Sequence, residues 1–496
     1  MSEPDARRDA DVTLETPVEI GGCRLRNRLY RAPLLEHAGD DDPVDRLIEE
    51  LEPCAEAGAG LIMQGATPIR GREGRAVPGM TGFDDPDRVA SMRRLTDRIN
   101  DHGGRIFAQL AHGGLRSMEI WHAGHRRRHP DLRQRVVSPP PAPLRLADRL
   151  GLLSIDADPL STAEVYELAA DFGRAADRAA AAGYDGIHLA GATMGIFQQF
   201  LSPFYNHRDD EFGGSLECRL RFFELVAEEI RERTDVPLVT KVPAETESPF
   251  FVRDSIDAEA AIKACDRLEQ AGYDALVPVQ SSPFWDHAII RGEFGSRGFD
   301  DRFAEGFEAA FGGPWRRRLV ELAARIDAAG NGFEAAWNAD LCRRVRDVVD
   351  VPVLCVGGIR GRAEADRLLG EVCSMVGMAR PFYAEPRLPA RLLSTPGATV
   401  VCENCNNCVP PQAAGEPGVC RTPDVLARRG ELAKQGAYDR PEGDGQRGTD
   451  GSGDSTEKIG DSSGNTAAGS GDTGDGTGSV DGDTDGTSGG DGRADV

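Results

Sequence analysis

The sequence predicts an α/β protein, a (β/α)8 barrel in which eight parallel strands alternate with helices. Short apolar or β-branched runs alternate with long amphipathic stretches, which is the pattern of strand–helix units in a parallel sheet. Eight such runs occur, and a chain of 496 residues can hold a barrel of about 250 residues with insertions. The predicted barrel strands lie near residues 29–33, 60–64, 105–109, 186–190, 238–242, 275–279, 353–356 and 374–377.

A short hairpin is predicted ahead of the first barrel strand. In TPVEIGGCRLRNR, Gly21 and Gly22 separate two alternating runs, and consecutive glycines favour a tight hairpin turn. We expect this hairpin to cap the bottom of the barrel. The loops after the strands, at the other end, carry the chemistry of such barrels. Three of these loops are long, at residues 110–160, 190–215 and 280–333.

Composition divides the chain into three regions. The barrel is predicted over residues 12–395, and a cysteine-bearing segment follows over 396–436, with a helix at 421–436. From 437 to 496 the chain is an acidic tail rich in Gly, Asp, Ser and Thr. Such a tail cannot bury an apolar core and is predicted to be disordered.

The charge balance is strongly acidic. The chain has 82 Asp and Glu against 58 Lys and Arg, only four of them Lys, and its formal net charge is -24. Such a surface repels nucleic acids and anionic membranes. High salt screens the repulsion among its acidic side chains, so the composition predicts a halophilic source. The amino terminus lacks the apolar core of a secretory signal, and no run of 18 apolar residues occurs. Seven single cysteines scattered through apolar segments favour a reduced, cytoplasmic protein.

Four further cysteines form one motif, CENCNNCVPPQAAGEPGVC, over residues 402–420. Cys402, Cys405, Cys408 and Cys420 have the spacing C-x2-C-x2-C-x11-C. A reducing compartment argues against disulfides. Zinc sites prefer two separated C-x2-C pairs, whereas three thiolates in one tight loop and a distant fourth suit an iron–sulfur cubane. The motif favours a [4Fe-4S] cluster, and a zinc site is the alternative. Because such a cluster carries single electrons, we expect a redox cofactor inside the neighbouring barrel.

Two loops near the end of the barrel suit a phosphate group. They read VGGIRGRAEA (356–365) and VGMARPFYAEP (376–386), and they follow the seventh and eighth predicted strands, where such barrels typically bind phosphate. Gly357 and Gly358 let backbone N–H groups approach a phosphate, and Arg380 can clamp two of its oxygens. The alternative is that the two glycines only turn the chain.

Several motifs together resemble the old yellow enzyme family of NADH:flavin oxidoreductases. They are RNRLYRAP, IFAQLAHGG, FLSPFYNHRDDEFGGSLE, VPVLCVGGI and VGMARPFYAEP, and the resemblance covers roughly residues 12–425. The cysteine motif after the barrel is similar to that of the branch containing trimethylamine dehydrogenase and 2,4-dienoyl-CoA reductase. The resemblance implies a TIM barrel, FMN at the strand ends and a [4Fe-4S] cluster.

The resemblance also assigns contacts to the flavin ring. Ala32, Pro33 and Ala66 match positions whose backbone lies against the isoalloxazine, and Gln109 matches an amide that hydrogen-bonds its pyrimidine edge. Lys241 stands where the family usually has Arg, near the flavin N1 and O2 atoms. Its positive charge suits an anionic reduced flavin, although the bidentate fork of Arg is lost.

The same resemblance assigns the phosphate site and the mode of attachment. The phosphate positions are Gly357, Gly358, Ala379 and Arg380. Leu35 stands where trimethylamine dehydrogenase has the cysteine bonded to its flavin, so the FMN is expected to be non-covalent.

The sequence departs from the family at the substrate. A His-x-x-His or His-x-x-Asn pair, followed by a proton-donating Tyr, is replaced by Ala190, Thr193 and Gly195. An enoate reductase needs donors that polarise the carbonyl and an acid that protonates the carbon. His188, two residues earlier, shares the strand face of the missing histidine, but a packed histidine is the favoured interpretation.

A replacement acid is predicted in the loop after the sixth strand. FWDHAII places Asp286 and His287 beside Trp285, where the relatives carry polar groups near the substrate. His287 is the candidate proton donor, and Asp286 can orient a cationic substrate beside Trp285. The alternative for His287 is an ordinary exposed loop histidine.

These inferences predict an enzyme with an external electron partner. The chain is expected to exchange a hydride between FMN and a small substrate, either an activated C=C such as an enoyl thioester, or an amine. No G-x-G-x-x-G follows a strand after the cysteines, so the electrons are expected to reach NAD(P)H or a separate ferredoxin, electron-transfer flavoprotein or subunit. The alternative is a redox relay subunit with a disabled substrate pocket.

Overall fold

The structure is a computed structural model that describes residues 12–249, 252 and 254–439. These residues belong to one compact unit of the chain, Met1–Pro441. The predicted tail over 437–496 therefore lies outside the described residues from position 440 onward.

Strands and helices alternate along most of the described chain. The strands are β1 (Val18–Ile20), β2 (Cys23–Leu25), β3 (Leu29–Arg31), β4 (Leu61–Pro68), β5 (Arg105–Ala111), β6 (Gln134–Val136), β7 (Ala157–Pro159), β8 (Gly186–Leu189), β9 (Leu238–Ala244), β10 (Ala275–Gln280), β11 (Leu354–Val356) and β12 (Met375–Met378). The helices are α1 (Val44–Glu56), α2 (Pro86–Ser91), α3 (Arg93–Asp101), α4 (Ala123–Arg128), α5 (Ala142–Arg149), α6 (Thr162–Ala181), α7 (Ile196–Leu201), α8 (Leu216–Arg231), α9 (Ala258–Gln270), α10 (Ala304–Phe311), α11 (Pro314–Gly330), α12 (Ala339–Arg346), α13 (Arg362–Glu371), α14 (Arg380–Ala384), α15 (Leu388–Ser394) and α16 (Pro423–Lys434).

Eight of these strands form the predicted parallel barrel. Their order in the sheet is β10-β9-β8-β5-β4-β3-β12-β11. A parallel bridge between Leu276 of β10 and Val353, the residue before β11, links the two edge strands. Every predicted barrel strand overlaps an observed one, so the (β/α)8 TIM barrel is confirmed.

The predicted hairpin is also confirmed, and it covers the amino-terminal end of the barrel. β1 and β2 pair antiparallel around Gly21 and Gly22, whose φ angles of 51° and 82° are left-handed. Both angles are positive in the type I′ hairpin turn, which glycine adopts without strain. Ile20 and Leu25 of the hairpin belong to the same buried apolar cluster as barrel side chains such as Phe107.

The two long loops after β5 and β10 contain structure of their own. α4, α5 and the two-stranded parallel sheet β6-β7 lie between β5 and α6, and α10 and α11 lie between β10 and α12. α10 packs against α4, so the two insertions meet above the carboxyl ends of the strands. Within the described residues, no helix has both the length and the apolar character that crossing a membrane requires.

Candidate active site

A cavity of about 310 Å³ opens at the carboxyl ends of the barrel strands. Each of the eight barrel strands, or the loop that follows it, contributes to the wall. This is the end of a parallel barrel at which binding and catalytic residues are held. The fold therefore gathers residues that are far apart in the sequence around one space.

All nine residues predicted to contact the flavin lie on this wall. They are Ala32, Pro33, Ala66, Gln109, Lys241, Gly357, Gly358, Ala379 and Arg380. Leu35, predicted to leave the flavin without a covalent bond, lines the same cavity. The contact of these residues with a flavin stays a prediction, but the structure brings the whole predicted set together.

Gln109 is held in place by a histidine. The Gln109 Nε2 atom lies 2.9 Å from His188 Nδ1, across the paired strands β5 and β8. His188 is fully buried, and burial together with the charge of Lys241 keeps the pKa of its ring well below its usual value. His188 is therefore a neutral, packed histidine that orients the Gln109 amide.

Lys241 presents its amine to the cavity without a protein partner. Burial lowers the pKa of Lys241 to about 8. Within the described part of the chain, no residue accepts a hydrogen bond from this amine or pairs with its charge. An anionic ligand in the cavity removes this imbalance.

The glycine pair 357–358 is required by the backbone itself. Gly357 and Gly358 have left-handed φ angles of 128° and 71°. A Cβ on Gly357 would lie 2.5 Å from the Trp337 ring, and a Cβ on Gly358 would lie 2.1 Å from the Glu334 carbonyl oxygen. The turn of the backbone therefore requires glycine at both positions by itself. This requirement holds whether or not the two residues also approach a phosphate.

Arg380 connects the cavity to the cysteine motif. One of its guanidinium nitrogens donates to the Asn406 side-chain oxygen, and Nη2 donates to the Arg291 carbonyl oxygen at 2.7 Å. Asn406 lies between Cys405 and Cys408, and Asn404 of the same loop lines the cavity. The cysteine loop therefore forms part of the cavity wall.

The four cysteines are free thiols in this structure. Cys402 and Cys408 are buried, and Cys405 and Cys420 are half-buried. Burial raises the pKa of Cys408 to about 12, and neighbouring thiols add to this effect. The Cys405 sulfur lies 2.9 Å from Thr422 Oγ1. In the described residues, no group of three or more His, Cys, Asp or Glu side chains is arranged to hold a metal ion.

The predicted proton donor lies at the rim of the cavity. His287 lines the cavity, but its side chain is 61% exposed, and its Nδ1 atom lies 3.5 Å from Asp327 Oδ2. Asp286 accepts hydrogen bonds from Thr246 Oγ1 at 3.2 Å and from the Ala288 backbone N–H at 2.8 Å. The catalytic roles of His287 and Asp286 stay predictions.

Two polar residues on the wall were not predicted. His112 is buried just after β5; its Nδ1 accepts from the Gly114 N–H at 3.1 Å, and its Nε2 lies 3.5 Å from Glu73 Oε1. Burial opposes ionisation of Glu73, but His112 and Arg70 hold its pKa down, at about 2. Arg116 follows in the same loop. The available signal was their position directly after a predicted barrel strand.

The charge of the cavity wall is opposite to that of the whole chain. Its acidic and basic side chains are one aspartate, Asp286, against four cations: Arg116, Lys241, Arg360 and Arg380. None of these four cations forms an ion pair with a carboxylate of the described residues. In a chain with a net charge of -24, this excess of unpaired positive charge marks a site for an anion.

In parallel (β/α)8 barrels, the cavity at the carboxyl ends of the strands is where ligands bind. A profile of the NADH:flavin oxidoreductase / NADH oxidase family matches residues 13–274, more than half of the chain. The chain belongs to this family of flavin oxidoreductases. Membership supports FMN as its cofactor.

Two relatives share similarity with most of the chain. A metal reductase of Desulforamulus reducens is 27% identical over 427 residues, which cover 85% of this chain and 55% of that protein. A cinnamate reductase of Clostridium sporogenes is 27% identical over 412 residues, which cover 78% and 53%. The chain thus spans about half the length of these relatives.

Two solved structures share the fold. A 2-naphthoyl-CoA reductase in complex with 2-naphthoyl-CoA has a TM-score of 0.64 at 18% identity, covering 86% of this chain and 58% of that one. A histamine dehydrogenase from Rhizobium sp. 4-9 has a TM-score of 0.63 at 22% identity, covering 84% and 53%. At these identities the similarity concerns the barrel, not the substrate.

Proposed function

We propose that this chain is an FMN- and [4Fe-4S]-dependent oxidoreductase. It exchanges a hydride between FMN and a small organic substrate, and it exchanges single electrons with a separate redox partner. The observation that carries the proposal is the cavity wall, on which four unpaired cations face one aspartate. A phosphate-bearing cofactor that becomes anionic on reduction supplies the missing negative charge.

The residues of the wall suit FMN. When bound, FMN supplies hydride exchange with a substrate and single-electron exchange with a redox centre. Lys241 places an unpartnered positive charge where the flavin N1 and O2 atoms are expected, and Gln109, oriented by His188, offers its amide to the pyrimidine edge. Gly357, Gly358, Ala379 and Arg380 would hold the phosphate.

The cysteine loop is the proposed site of the [4Fe-4S] cluster, whose binding must draw the four thiols together. Its four thiols are free of disulfides, and Asn404 and Asn406, on either side of Cys405, have left-handed φ angles of 57°, so the loop turns sharply around that thiol. Because burial raises the pKa of three of these thiols, loading a cluster releases protons. The loop shares the cavity wall with the flavin site, which suits electron exchange between the two.

The substrate class is an activated C=C or an amine. The name of the cinnamate reductase relative points to the reduction of a C=C, and Asp286 beside Trp285 suits a cationic amine. We propose His287, beside Asp327, as the proton donor for a C=C reduction, and Asp286 as a group that orients the substrate. A ferredoxin, an electron-transfer flavoprotein, another subunit or NAD(P)H is the proposed electron partner.

Cofactor analysis of the anaerobically purified protein tests this proposal. We expect FMN to be released on denaturation, and iron and acid-labile sulfide to be present in equal amounts. Replacing Cys405 by Ser is expected to remove most of the iron and sulfide, whereas Cys218→Ser, a half-buried cysteine of α8, is expected to leave both unchanged. Zinc without sulfide contradicts the cluster, and a protein without flavin contradicts the enzyme.

A further inference from the structure

Arg116 is a cation on the cavity wall that the proposed flavin contacts do not use. Its Nη1 atom donates to the Thr193 carbonyl oxygen at 2.8 Å. Within the described residues, its other guanidinium nitrogens have no hydrogen-bond acceptor and no carboxylate pairs with it. Burial without a counter-charge lowers the pKa of Arg116. A half-buried guanidinium with free donors and no counter-charge, placed on a cavity wall, favours the binding of an anion.

The carbonyl that holds Arg116 belongs to a strained loop. Thr193 and Met194 have left-handed φ angles of 72° and 64°, which a β-branched residue such as Thr rarely adopts. Gln198 Oε1 accepts from the Met194 N–H at 2.8 Å, and Gln199 Nε2 donates to the Met194 carbonyl oxygen at 2.6 Å. The side chains of Gln198 and Gln199 therefore hold the backbone of this loop at Met194. The Thr193 carbonyl oxygen of the same loop in turn fixes the Arg116 guanidinium.

The same loop lacks the donors that the family resemblance leads us to expect. Ala190, Thr193 and Gly195 occupy the three positions, and all three line the cavity. Because Arg116 is hydrogen-bonded to Thr193, its free guanidinium donors lie next to the place where a substrate oxygen needs a partner.

We propose that Arg116 binds the carboxylate of an anionic substrate, an α,β-unsaturated acid, in place of the missing donor pair. This inference rests on the proposed function, because it concerns the substrate of the same site. The planar guanidinium matches both oxygens of a carboxylate. A conjugated carboxylate resists hydride addition, and the guanidinium stabilises the negative charge that grows on it in the transition state. A cationic amine meets repulsion from Arg116, and a thioester offers no carboxylate.

Three probes that differ only in their polar group test the proposal. They are cinnamate, which is anionic at neutral pH, neutral cinnamamide and cationic cinnamylamine. Isothermal titration calorimetry with the purified full-length protein measures their binding, and it does not depend on a flavin signal. We expect the wild type to bind cinnamate most tightly and cinnamylamine most weakly.

The variants Arg116→Met, Arg116→Lys and Arg72→Met separate charge from shape. Loss of a charge-assisted hydrogen bond predicts that Arg116→Met weakens cinnamate binding roughly 10- to 100-fold and leaves cinnamamide binding nearly unchanged. Arg116→Lys, which retains the charge and gives a second reading if the Met variant is unstable, should recover part of the loss. Arg72→Met, at an exposed arginine, should bind as the wild type does.

The outcomes separate this inference from the proposed function. Unchanged cinnamate binding in both Arg116 variants, or tighter binding of cinnamylamine than of cinnamate by the wild type, overturns the role of Arg116 even in a flavin-loaded protein. Cinnamate binding that depends on Arg116 in a protein without flavin supports the anion site and overturns the oxidoreductase proposal.

Discussion

Lys241 carries a positive charge into a cavity where no described residue balances it. Burial lowers the pKa of its amine from 10.5 to about 8. The amine still carries its proton at neutral pH, but burial makes that charge costly in the flavin-free protein, and an anion in the cavity relieves the penalty. Such a residue raises the affinity of the cavity for an anion at the expense of the stability of the empty protein.

Replacing Lys241 by Met is expected to stabilise the flavin-free protein by about 3 kcal/mol near neutral pH, since the pKa is lowered from 10.5 to about 8 and each pKa unit corresponds to about 1.4 kcal/mol. The lysine pKa is lower in the folded state, so the unfolded state binds more protons between about pH 8 and about pH 10.5. The stability of the wild type should therefore rise across this window, and the advantage of the variant should shrink. Urea unfolding of both proteins across the window measures this, and an advantage that does not change with pH contradicts it.

Substitution of His287 tests its proposed role as the proton donor. Replacing it by Ala is expected to lower turnover of an unsaturated substrate by about 100-fold or more, because a positioned acid contributes that much to proton transfer. His102→Ala is the matched control, since His102 directly follows α3 and hydrogen-bonds Glu52 with its ring. Steady-state rates of the wild type, His287→Ala and His102→Ala test this expectation. Equal rates for His287→Ala and the wild type would show that His287 is not the proton donor.

The sequence predicted a residue of the cavity wall where that residue lies at the end of a strand, or directly after one, in a recognisable motif, as with Gln109 in β5 and Gly357 after β11. It missed Arg116 and His112, although both follow β5. Their chemical setting depends on Thr193 and Glu73, partners that the chain brings together only on folding. Whether a cation lacks a counter-charge can be judged only when its neighbours in the fold are known.

At the scale of elements, the eight barrel strands could be predicted because buried parallel strands are continuous apolar runs. The boundaries were less accurate: β4 continues to Pro68, beyond the predicted end at residue 64. The sheet β6-β7 and the packing of α10 on α4 were not predicted, since they depend on contacts between two insertions rather than on local pattern.

The loop after β8 has a strained residue, Thr193. The left-handed φ of 72° at Thr193 is strained because the Cβ of the residue crowds the backbone in this conformation. Thr193→Gly removes that strain, whereas Thr193→Ala keeps the Cβ and therefore the strain. We expect the free energy of unfolding of the Gly variant to exceed that of the Ala variant by about 1 kcal/mol. Denaturant unfolding compares the two, and a more stable Ala variant contradicts a strained loop.

At the scale of the whole molecule, the barrel interior fixes the arrangement of the strand ends. Gly377 of β12 pairs with Tyr30 of β3, where the last barrel strand along the chain meets the first. A Cβ on Gly377 would lie 2.1 Å from Cζ of the Tyr30 ring. The tyrosine ring therefore fills the space that a side chain at 377 would need.

Gly377→Ala is expected to destabilise the protein by about 3 kcal/mol, because the barrel core cannot accommodate an added methyl group without moving the ring. Gly397→Ala is the matched control, since a Cβ at that position meets no atom within 4 Å. Thermal unfolding should show a clear loss for the first variant and little change for the second. Equal melting temperatures contradict the packing of Tyr30 against β12.

If a flavin in the basic cavity exchanges a hydride with an unsaturated acid, that acid re-oxidises the reduced flavin. Anaerobic stopped-flow absorbance tests it most directly, with dithionite-reduced protein mixed with cinnamate, cinnamamide or buffer. We expect rapid return of the oxidised flavin spectrum with cinnamate and slow return with cinnamamide or buffer. A flavin that stays reduced with cinnamate, and that is bleached in its oxidised form by cinnamylamine, contradicts the account and identifies an amine dehydrogenase.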